Sequence, residues 1–267
     1  MTGLRAVVFD WAGTVVDFGS LAPIAAFVRG FADFGVPIAV EEARRPMGLA
    51  KRAHIAALGG QPRIALAWKA RHGHDFGEAD IDRIHQVFEP FSARVVTEHA
   101  ELIPGTVETV TALRQRGIRI GSTTGYTRAI MQPLLRLAAG QGYAPDNLVC
   151  AGDLADGRPS PMMMYRCFLD LGVWPAAACV KVDDTAPGIA EGLSAGCWTV
   201  GVSLTGNALG LSREALAALP ADEQARRGGA AAAELSAAGA HYVIDGVGDL
   251  LPVIDAIAAR LLLGERP

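Results

Sequence analysis

Short apolar runs rich in β-branched residues recur along the chain, with segments of mixed polarity between them. The runs are RAVVF (5–9), IRIGST (118–123), NLVC (147–150), CVKVD (179–183), CWTVGV (197–202) and HYVI (241–244). Their near-continuous apolar character is typical of strands buried on both faces. The segments 104–117 and 161–172 begin at a proline and end at a glycine, as helices commonly do. This alternation predicts an α/β fold, a doubly wound and mostly parallel sheet with helices on both faces.

Residues 20–101 interrupt the alternation, because they contain no convincing strand. Four stretches of this range have helical character instead: 21–35, 41–60, 62–73 and 78–100. We therefore expect an α/β core domain of residues 1–19 and 102–267, and a small helical cap domain of residues 20–101. Ligands bind at the carboxyl edge of open α/β sheets, which is where the cap would lie. A second irregular stretch, 205–240, includes an alanine-rich helix near GGAAAAELSAAG and is interpreted as a solvent-facing decoration.

The composition is that of an ordinary globular protein, with 51% apolar and 19% charged residues among 267. The net charge of −4 argues against a broad nucleic-acid-binding surface. No segment approaches about 18 uncharged apolar residues, and MTGLRAVVFD has no apolar signal core. We therefore expect no membrane association and a cytoplasmic location. Cys150, Cys167, Cys179 and Cys197 lack a CxxC spacing, which favours buried free thiols in a reducing compartment.

The first predicted strand delivers a carboxylate into a glycine turn. In VVFDWAGTVVD (7–17), Asp10 ends the apolar run, and Gly13 and Thr14 follow it. A carboxylate in this position can attack phosphorus, and the backbone N–H groups after it can cradle phosphate oxygens. Taken alone, the motif also allows Asp10 to be an ordinary turn or helix cap.

Two further motifs supply groups suited to a phosphoryl oxygen. In GSTTGYT (121–127), the hydroxyl of Thr124 and the N–H of Gly125 stand between a strand and a helix, where anions bind. In GRPSP (157–161), Arg158 precedes a proline-started helix and offers a guanidinium. Each motif has an ordinary alternative, because serine and threonine are routine helix caps and most loop arginines are solvated.

Adjacent carboxylates end the fourth predicted strand, in KVDDTAPG (181–188). Asp183 and Asp184 repel each other unless a proton or a cation intervenes. With Asp10 at the same sheet edge, Mg²⁺ is the natural cation, because it prefers oxygen ligands and keeps room for water and phosphate. The four motifs follow one another along the chain, each at the carboxyl end of a predicted strand. Their separate alternatives do not explain the set.

This set of motifs resembles the haloacid dehalogenase superfamily of phosphotransferases. The resemblance implies a Rossmann-like core, a phosphoaspartyl intermediate on Asp10, bound Mg²⁺, and a substrate chosen largely by the cap. Most members of that superfamily carry a second aspartate two residues after the nucleophile, which protonates a leaving alcohol. This chain has Ala12 there. Either the site is inert, or its leaving group does not need an acid.

The predicted cap offers a different group in RRPMGLAKRAH (44–54). Met47, Lys51 and His54 fall at i, i+4 and i+7, which places them on one face of a predicted helix. A lysine among apolar residues and other cations loses its proton more easily and can form an imine with an aldehyde. An imine accepts the electrons of a breaking P–C bond, so no oxygen needs a proton. Spacing alone favours a solvated lysine, and the assignment therefore depends on the pairing of Lys51 with Ala12.

The motifs FDWAGTVVD, RRPMGLAKRAHIAAL, GIRIGSTTGYTR, GRPSP and VKVDDTAPGI together resemble the phosphonatase family, from residue 5 to about residue 205. The resemblance implies hydrolysis of the P–C bond of a small phosphonate, phosphonoacetaldehyde, to acetaldehyde and phosphate. It places that reaction after a transaminase in 2-aminoethylphosphonate breakdown. It also implies a Mg²⁺-dependent homodimer.

The same resemblance implies a role for each site residue. Lys51 would form the Schiff base, Asp10 would be the nucleophile, and His54 would handle protons beside the imine. The phosphonate would be bound by Met47, Thr124, Gly125 and Arg158, and the metal by the carboxylates of Asp10 and Asp184 and the carbonyl of Ala12. Two positions depart from the pattern. Ser20 replaces a cysteine of the family, and Gly188 replaces an acidic residue of many superfamily members, so Asp183 would have to compensate.

Three alternatives remain open at this point. A phosphatase or phosphomutase of the same superfamily would cleave a P–O bond, but with Ala12 its leaving alkoxide would lack an acid. A silent binding or scaffolding protein would have no reason to keep the whole set of Asp10, Lys51, Thr124, Arg158 and Asp184. The motif RHGHD also allows a separate metal site, formed by His72, His74 and Asp75.

Overall fold

A single six-stranded sheet forms the centre of the protein in the computed structural model, which describes residues 3–267. The strands are β1 (Ala6–Phe9), β2 (Arg119–Thr124), β3 (Val149–Cys150), β4 (Cys179–Asp183), β5 (Trp198–Val202) and β6 (Tyr242–Ile244). All neighbouring strands are parallel and lie in the order β3-β2-β1-β4-β5-β6. Chain order therefore reverses between β1 and β4, which is where such sheets open a crevice for ligands. The predicted fold class and all six predicted strands are confirmed.

The apolar residues of the strands divide between two layers of the core. In β1, Ala6 and Val8 belong to one buried cluster, and Val7 and Phe9 belong to the other. This division follows from the alternation of side chains along a strand. Burying both faces in this way explains why the strands have continuous apolar sequences rather than alternating ones.

Five of the helices between β1 and β2 lie within residues 20–101. They are α1 (Leu21–Asp33), α2 (Val40–Arg44), α3 (Lys51–Gly59), α4 (Pro62–His72) and α5 (Glu78–Glu98). They bury aromatic side chains of their own, including Phe27, Phe31 and Trp68. The helical character of residues 20–101 is thus as expected, and this part of the chain is called the insertion below. The exact division into a core and a cap domain stays a prediction.

One predicted helix of the insertion is wrong. Residues 41–60 form two helices, α2 and α3, separated by a turn over residues 45–50. Gly48 in this turn has φ +93°, and a Cβ atom there would lie 2.3 Å from Oγ1 of Thr185. Pro46 and Gly48 end the helix because neither suits a helix interior. Met47 therefore lies in the turn and does not share a helical face with Lys51 and His54, contrary to the prediction.

Seven helices lie outside the insertion. The first of them precedes β2, and the other six follow it. They are α6 (Thr106–Gln115), α7 (Arg128–Gly140), α8 (Met162–Leu171), α9 (Ala186–Ser194), α10 (Arg213–Ala217), α11 (Ala221–Ala237) and α12 (Leu250–Leu262). The helices predicted within 104–117 and 161–172 are confirmed as α6 and α8. Helix α5 packs against both α1 and α7, so it joins the insertion to the sheet layers.

The stretch 205–240 is not a solvent-facing decoration. Helix α11 packs against β5 and β6 and buries Leu235, and a Cβ atom at Gly201 would lie 2.9 Å from the Cβ of that leucine. The loop before α10 enters the region of the predicted site through Thr205 and Asn207. The prediction of an exposed helix was wrong because small and charged residues dominate α11, and its buried face contains few large apolar residues.

The prediction of buried free thiols agrees with the structure. All four cysteines are free and buried. None of the helices within residues 3–267 combines the length and the apolar character needed to cross a membrane.

Candidate active site

The predicted motifs meet at the carboxyl edge of the sheet. Asp10 follows β1, Thr124 ends β2, Arg158 precedes α8, and Asp184 follows β4. A small pocket at this edge is lined by every predicted site residue except His54: Asp10, Ala12, Met47, Lys51, Thr124, Gly125, Arg158 and Asp184. Ser20, Tyr126 and Thr185 also line it. Residues of the sheet and of the insertion therefore share a single pocket.

The turn after β1 brings its backbone close to the acidic residues of β4. The amides of Thr14, Val15 and Val16 donate to the carbonyl of Trp11, at 3.1, 2.9 and 3.1 Å respectively. Gly13 has φ +79°, and a Cβ atom there would lie 2.2 Å from Oδ2 of Asp184. Only glycine tolerates both the backbone conformation and this approach. Gly13 is therefore needed to seat Asp184 against the turn.

Arg158 is buried and connects Asp10 to residues of the interior. Its Nη2 donates to Oδ1 of Asp10 at 2.8 Å and to the carbonyl of Thr123 at 2.9 Å. Its Nε donates to Oε2 of Glu191 at 3.1 Å. Burial opposes the charge of the guanidinium, but the surrounding carboxylates of Asp183, Asp10 and Glu191 outweigh it and raise its pKa. Arg158 is thus a fixed cation beside Asp10, rather than a solvated loop arginine.

Two charged residues behind the pocket were not predicted. Lys181 on β4 contacts Asp183 and Glu191, at 3.1 Å in each case, and both Lys181 and Glu191 are completely buried. We call the five residues Asp10, Arg158, Lys181, Asp183 and Glu191 the buried ion network. The sequence did carry one signal, since a lysine inside an apolar strand needs a buried partner. It could not show that the partner is a glutamate on α9.

The carboxylates of Asp10, Asp183 and Asp184 approach within 4.8 Å of one another. Burial raises the pKa of Asp10, and the charge of Asp183 raises it further. Burial also raises the pKa of Asp184, with additional contributions from Asp10 and Asp183. These carboxylates are therefore poorly compensated by the protein, and a cation would stabilise them.

The oxygen atoms available at this place suit Mg²⁺. Oδ2 of Asp184 accepts from the amide of Asn207 at 2.7 Å, whereas its Oδ1 is buried and has no hydrogen-bond partner among the described residues. Asp183 already has partners within the protein. Its Oδ1 accepts hydrogen bonds from the amide and the hydroxyl of Thr185. The charges of Arg158 and Lys181 lower the pKa of Asp183, although burial opposes this shift. Asp184 is thus the better ligand of the pair. A hard cation with oxygen ligands fits such a cluster.

Lys51 is the first residue of α3, and only 5% of its surface is exposed. Its Nζ lies 4.6 Å from the ring centre of Tyr126 and 5.5 Å from that of Phe27. Burial lowers the pKa of Lys51 to about 8, although Asp10 partly opposes this shift. At pH 7 about a tenth of such amines are unprotonated, against fewer than roughly one in a thousand at an ordinary lysine pKa. The lysine is therefore not solvated, and a larger share of its amine is unprotonated than in an exposed lysine.

His54 lies behind Lys51 rather than in the pocket. Its Nε2 is 2.9 Å from the carbonyl of Ala43, and its ring stacks on Phe27 at a centroid distance of 3.7 Å. Because a carbonyl only accepts, Nε2 carries the proton and the buried Nδ1 is an acceptor. Burial and the charge of Lys51 both lower the pKa of His54, so the ring is neutral. Its predicted role in proton handling stays a prediction.

The two departures from the family pattern have structural explanations. A Cβ atom at Gly188 would lie 1.9 Å from Cγ of Asp183, so no side chain fits at that position. Ser20 lines the pocket, where it offers a hydroxyl. Gly125 is also required, since a Cβ atom there would lie 2.9 Å from the carbonyl oxygen of Leu49 in the insertion.

The alternative metal site at RHGHD is wrong. Nε2 of His72 lies 3.0 Å from the carbonyl of Phe34, and Nδ1 of His74 lies 3.0 Å from the carbonyl of Asp75. Asp75 also pairs with Lys69 at 3.0 Å. Within residues 3–267, the acidic cluster of the pocket is the one group with ligand atoms close enough for a metal.

Comparisons with known proteins find relatives along the whole length of this chain. A model of the haloacid dehalogenase-like hydrolase family matches residues 4–196. The phosphonoacetaldehyde hydrolases of Paraburkholderia xenovorans and Salmonella typhimurium are 55% and 48% identical to this chain, and each alignment covers 100% of both sequences. The crystal structure of a phosphonoacetaldehyde hydrolase-like protein from Oleispira antarctica superposes with a TM-score of 0.98 at 46% identity. That superposition covers 99% of this chain and 96% of the other.

Proposed function

Because this chain belongs to the phosphonoacetaldehyde hydrolase family of the haloacid dehalogenase-like hydrolases, we propose that it hydrolyses phosphonoacetaldehyde to acetaldehyde and phosphate. The observation that carries the proposal is the presence of Lys51 and Asp10 in one pocket where residue 12 is alanine. An amine and a carboxylate are thus available to the same small molecule, and residue 12 offers no acid to protonate a leaving alkoxide.

In the first step, the amine of Lys51 adds to the aldehyde carbon and water leaves, which gives an imine. The pKa of about 8 makes the free amine available for this step near neutral pH. Asp10 then attacks phosphorus. The imine is protonated at nitrogen, so when the P–C bond breaks its electron pair passes into the iminium group to give a neutral enamine, and Asp10 becomes an aspartyl phosphate.

Two hydrolyses complete the cycle. The enamine takes up a proton at carbon, and water releases acetaldehyde from Lys51. A second water cleaves the aspartyl phosphate, and phosphate departs. Arg158, which lies 2.8 Å from Oδ1 of Asp10, orients the nucleophile, and the Gly125 amide and the Thr124 hydroxyl would hold phosphonate oxygens.

The metal would be held by Asp10, Asp184 and, as the family resemblance implies, the carbonyl of Ala12. When bound, Mg²⁺ supplies positive charge that offsets the repulsion between the phosphonate and the carboxylates. Residue 12 would then act through its main chain alone. That accounts for alanine at a position where related phosphatases need an acid.

Borohydride trapping tests the proposal directly. The protein is mixed with phosphonoacetaldehyde, reduced with borohydride, digested and mapped by mass spectrometry. The chain contains three lysines, so the modified residue can be assigned without ambiguity. We expect the label on Lys51. Labelling of Lys69 or Lys181, or turnover of a sugar phosphate without any trapping, would return the protein to the phosphatase alternative.

We further propose that the reaction follows a transaminase in 2-aminoethylphosphonate breakdown and that the active form is a homodimer. Both come from the family resemblance. Analytical ultracentrifugation checks the second, and the expected result is twice the mass of 27.9 kDa.

A further inference from the structure

Arg44, the last residue of α2, reaches out of the insertion to two other parts of the chain. Its Nη1 donates to the carbonyl of Gly19 at 3.1 Å and to Oδ1 of Asn207 at 3.0 Å, and its Nη2 donates to the carbonyl of Gly210 at 3.0 Å. Gly19 lies in the connection from β1 to the insertion, and the other two residues follow β5. In the described part of the chain, no carboxylate lies within ion-pair distance of this guanidinium. Its donors are therefore committed to neutral oxygens.

The shape of the loop after β5 matches the guanidinium. Gly210 has φ +65°, and a Cβ atom there would lie 2.5 Å from Cζ of Arg44. Likewise, a Cβ atom at Gly19 would lie 2.2 Å from the carbonyl oxygen of Leu211. Both contacts need glycine, so the loop, the connection and Arg44 are fitted to one another.

Asn207 links this contact to the acidic cluster. Its side-chain amide donates to the carbonyl of Arg44 at 3.4 Å, while its backbone N–H donates to Oδ2 of Asp184 at 2.7 Å. The adjacent Gly206 presses on the same carboxylate, since a Cβ atom there would lie 2.5 Å from the Cβ of Asp184. The residue that receives Arg44 is thus also the one that orients Asp184.

The size of the pocket shows why such a link matters. Its volume is about 20 Å³, which holds roughly one water molecule. A phosphonate with a two-carbon chain is larger than this enclosed space, so it has to extend through the open side of the pocket or bind with a movement of the insertion. Any movement of α2 away from the sheet breaks the contacts of Arg44 with Asn207 and Gly210.

We propose that Arg44 is a latch between the insertion and the loop 205–211, and that through Asn207 it positions Asp184 for metal binding when the insertion is closed. The idea rests on the proposed function, because it assigns Asp184 to the metal. Arg44 is a positioning residue, since it does not line the pocket. Closure of the insertion and completion of the metal site are then a single event.

The test compares Arg44→Gln with Arg45→Gln. Arg45 is the neighbouring residue, is exposed, and makes no hydrogen bond or ion pair within residues 3–267, so its substitution removes the same charge without the contacts. Hydrogen exchange of the backbone amides is measured by mass spectrometry without substrate. We expect peptides that cover 205–211 to exchange about tenfold faster in Arg44→Gln and at the wild-type rate in Arg45→Gln.

Calorimetry of Mg²⁺ binding gives a second readout. Residues that orient a metal ligand typically contribute 10- to 100-fold to metal affinity. We expect Arg44→Gln and Asn207→Ala each to weaken Mg²⁺ binding by about tenfold, and the double variant to be no weaker than either, because the two substitutions break one contact. Additive losses would overturn the latch.

Other outcomes are equally decisive. Wild-type exchange and Mg²⁺ affinity in Arg44→Gln would refute the proposal, and so would faster exchange throughout the chain, which indicates a general loss of stability. If Arg44→Gln does not fold, Arg44→Lys replaces it. A lysine keeps the charge but not the planar guanidinium, so we expect a loss of Mg²⁺ affinity smaller than about tenfold. Failure of the proposed function is recognised separately, as the absence of borohydride trapping in the wild-type protein, which leaves the exchange result intact.

Discussion

At the scale of single residues, the mechanism depends most on the amine of Lys51. Lys51→Arg keeps the positive charge and much of the length, but a guanidinium stays protonated and cannot form an imine. We expect turnover to fall by orders of magnitude while folding and Mg²⁺ binding are retained. Steady-state kinetics and circular dichroism measure the two effects.

The matched control is Lys69→Arg. Lys69 lies on α4, is exposed and pairs with Asp75, so its substitution should leave kcat and KM unchanged. Robust turnover by Lys51→Arg would show that the lysine only attracts the phosphonate, and the covalent mechanism would be wrong.

The pH dependence of trapping follows from the lowered pKa of Lys51. Only the unprotonated amine attacks the aldehyde, and burial lowers the pKa of this group to about 8. The rate of borohydride-trapped imine formation should therefore rise from pH 6 to about pH 8 and then level off. A lysine of ordinary pKa, about 10.4, would give a rate that still rises about tenfold between pH 8 and pH 9 and levels off only above about pH 10. Single-turnover trapping measured across this range decides between the two profiles.

Ala12 provides the converse test, because adding an acid should not create a phosphatase. An aspartate at position 12 would enter a pocket of about 20 Å³ and place a further negative charge beside Asp10. We expect Ala12→Asp to lose at least about tenfold in kcat/KM with phosphonoacetaldehyde and to gain no activity with sugar phosphates. Ala12→Asn has the same size without the charge, so it separates crowding from repulsion. Full native activity of Ala12→Asp would show that the position is roomier than the structure indicates.

At the scale of secondary structure, the turn between α2 and α3 supplies one wall of the pocket, and we expect it to contribute to specificity. The turn presents Met47 to the pocket and starts α3 at Lys51, and Gly48 packs it against Thr185. Gly48→Ala should therefore displace the turn and lower kcat by at least roughly tenfold, a misplacement effect. Kinetics together with the trapping yield at Lys51 would measure the displacement.

The control for this variant is Gly73→Ala. Gly73 has a similar positive φ of +77°, but no atom lies within 4 Å of a Cβ built there. Both variants bear the same backbone cost of about 1 kcal/mol, so only the contact with Thr185 differs. Equal activities of the two variants would show that the contact between the turn and Thr185 does not affect catalysis.

The same turn shows where prediction from sequence stopped. Periodicity placed Met47, Lys51 and His54 on one helix, yet Pro46 and Gly48 break that helix, and Met47 reaches the pocket from the turn instead. The strands were predictable because their apolar runs are local signals. By contrast, the contact of Asn207 with Asp184 uses a backbone N–H, and no side-chain pattern records such a contact.

At the scale of the whole molecule, the sheet and the insertion together line the site for which we propose a metal. Asp10 and Asp184 follow two neighbouring strands, β1 and β4, and both are proposed ligands of the cation. We expect exhaustive treatment with EDTA to abolish turnover and Mg²⁺ to restore it, whereas Asp184→Asn should lose Mg²⁺ binding in calorimetry. Full activity in excess EDTA would contradict the metal assignment.

The positions of site residues were predictable to the extent that topology determines them. In a parallel sheet all carboxyl ends share one edge, so Asp10, Thr124 and Asp184 had to meet. Partners that arrive from helices were not predictable in this way. Glu191 on α9 and Arg44 on α2 depend on how those helices pack, and that is decided by many weak contacts rather than by one motif.

The buried ion network also restricts how this protein can change over generations. Its two cations, Arg158 and Lys181, each contact Asp183 and Glu191, so removing either cation leaves buried carboxylates without compensation, at a cost of about 3–5 kcal/mol. Native domains have only about 5–15 kcal/mol of stability in total, so one such step removes a large share. We therefore expect Lys181 to change only together with one of its carboxylate partners, because a paired replacement by apolar residues of similar volume removes buried charge of both signs.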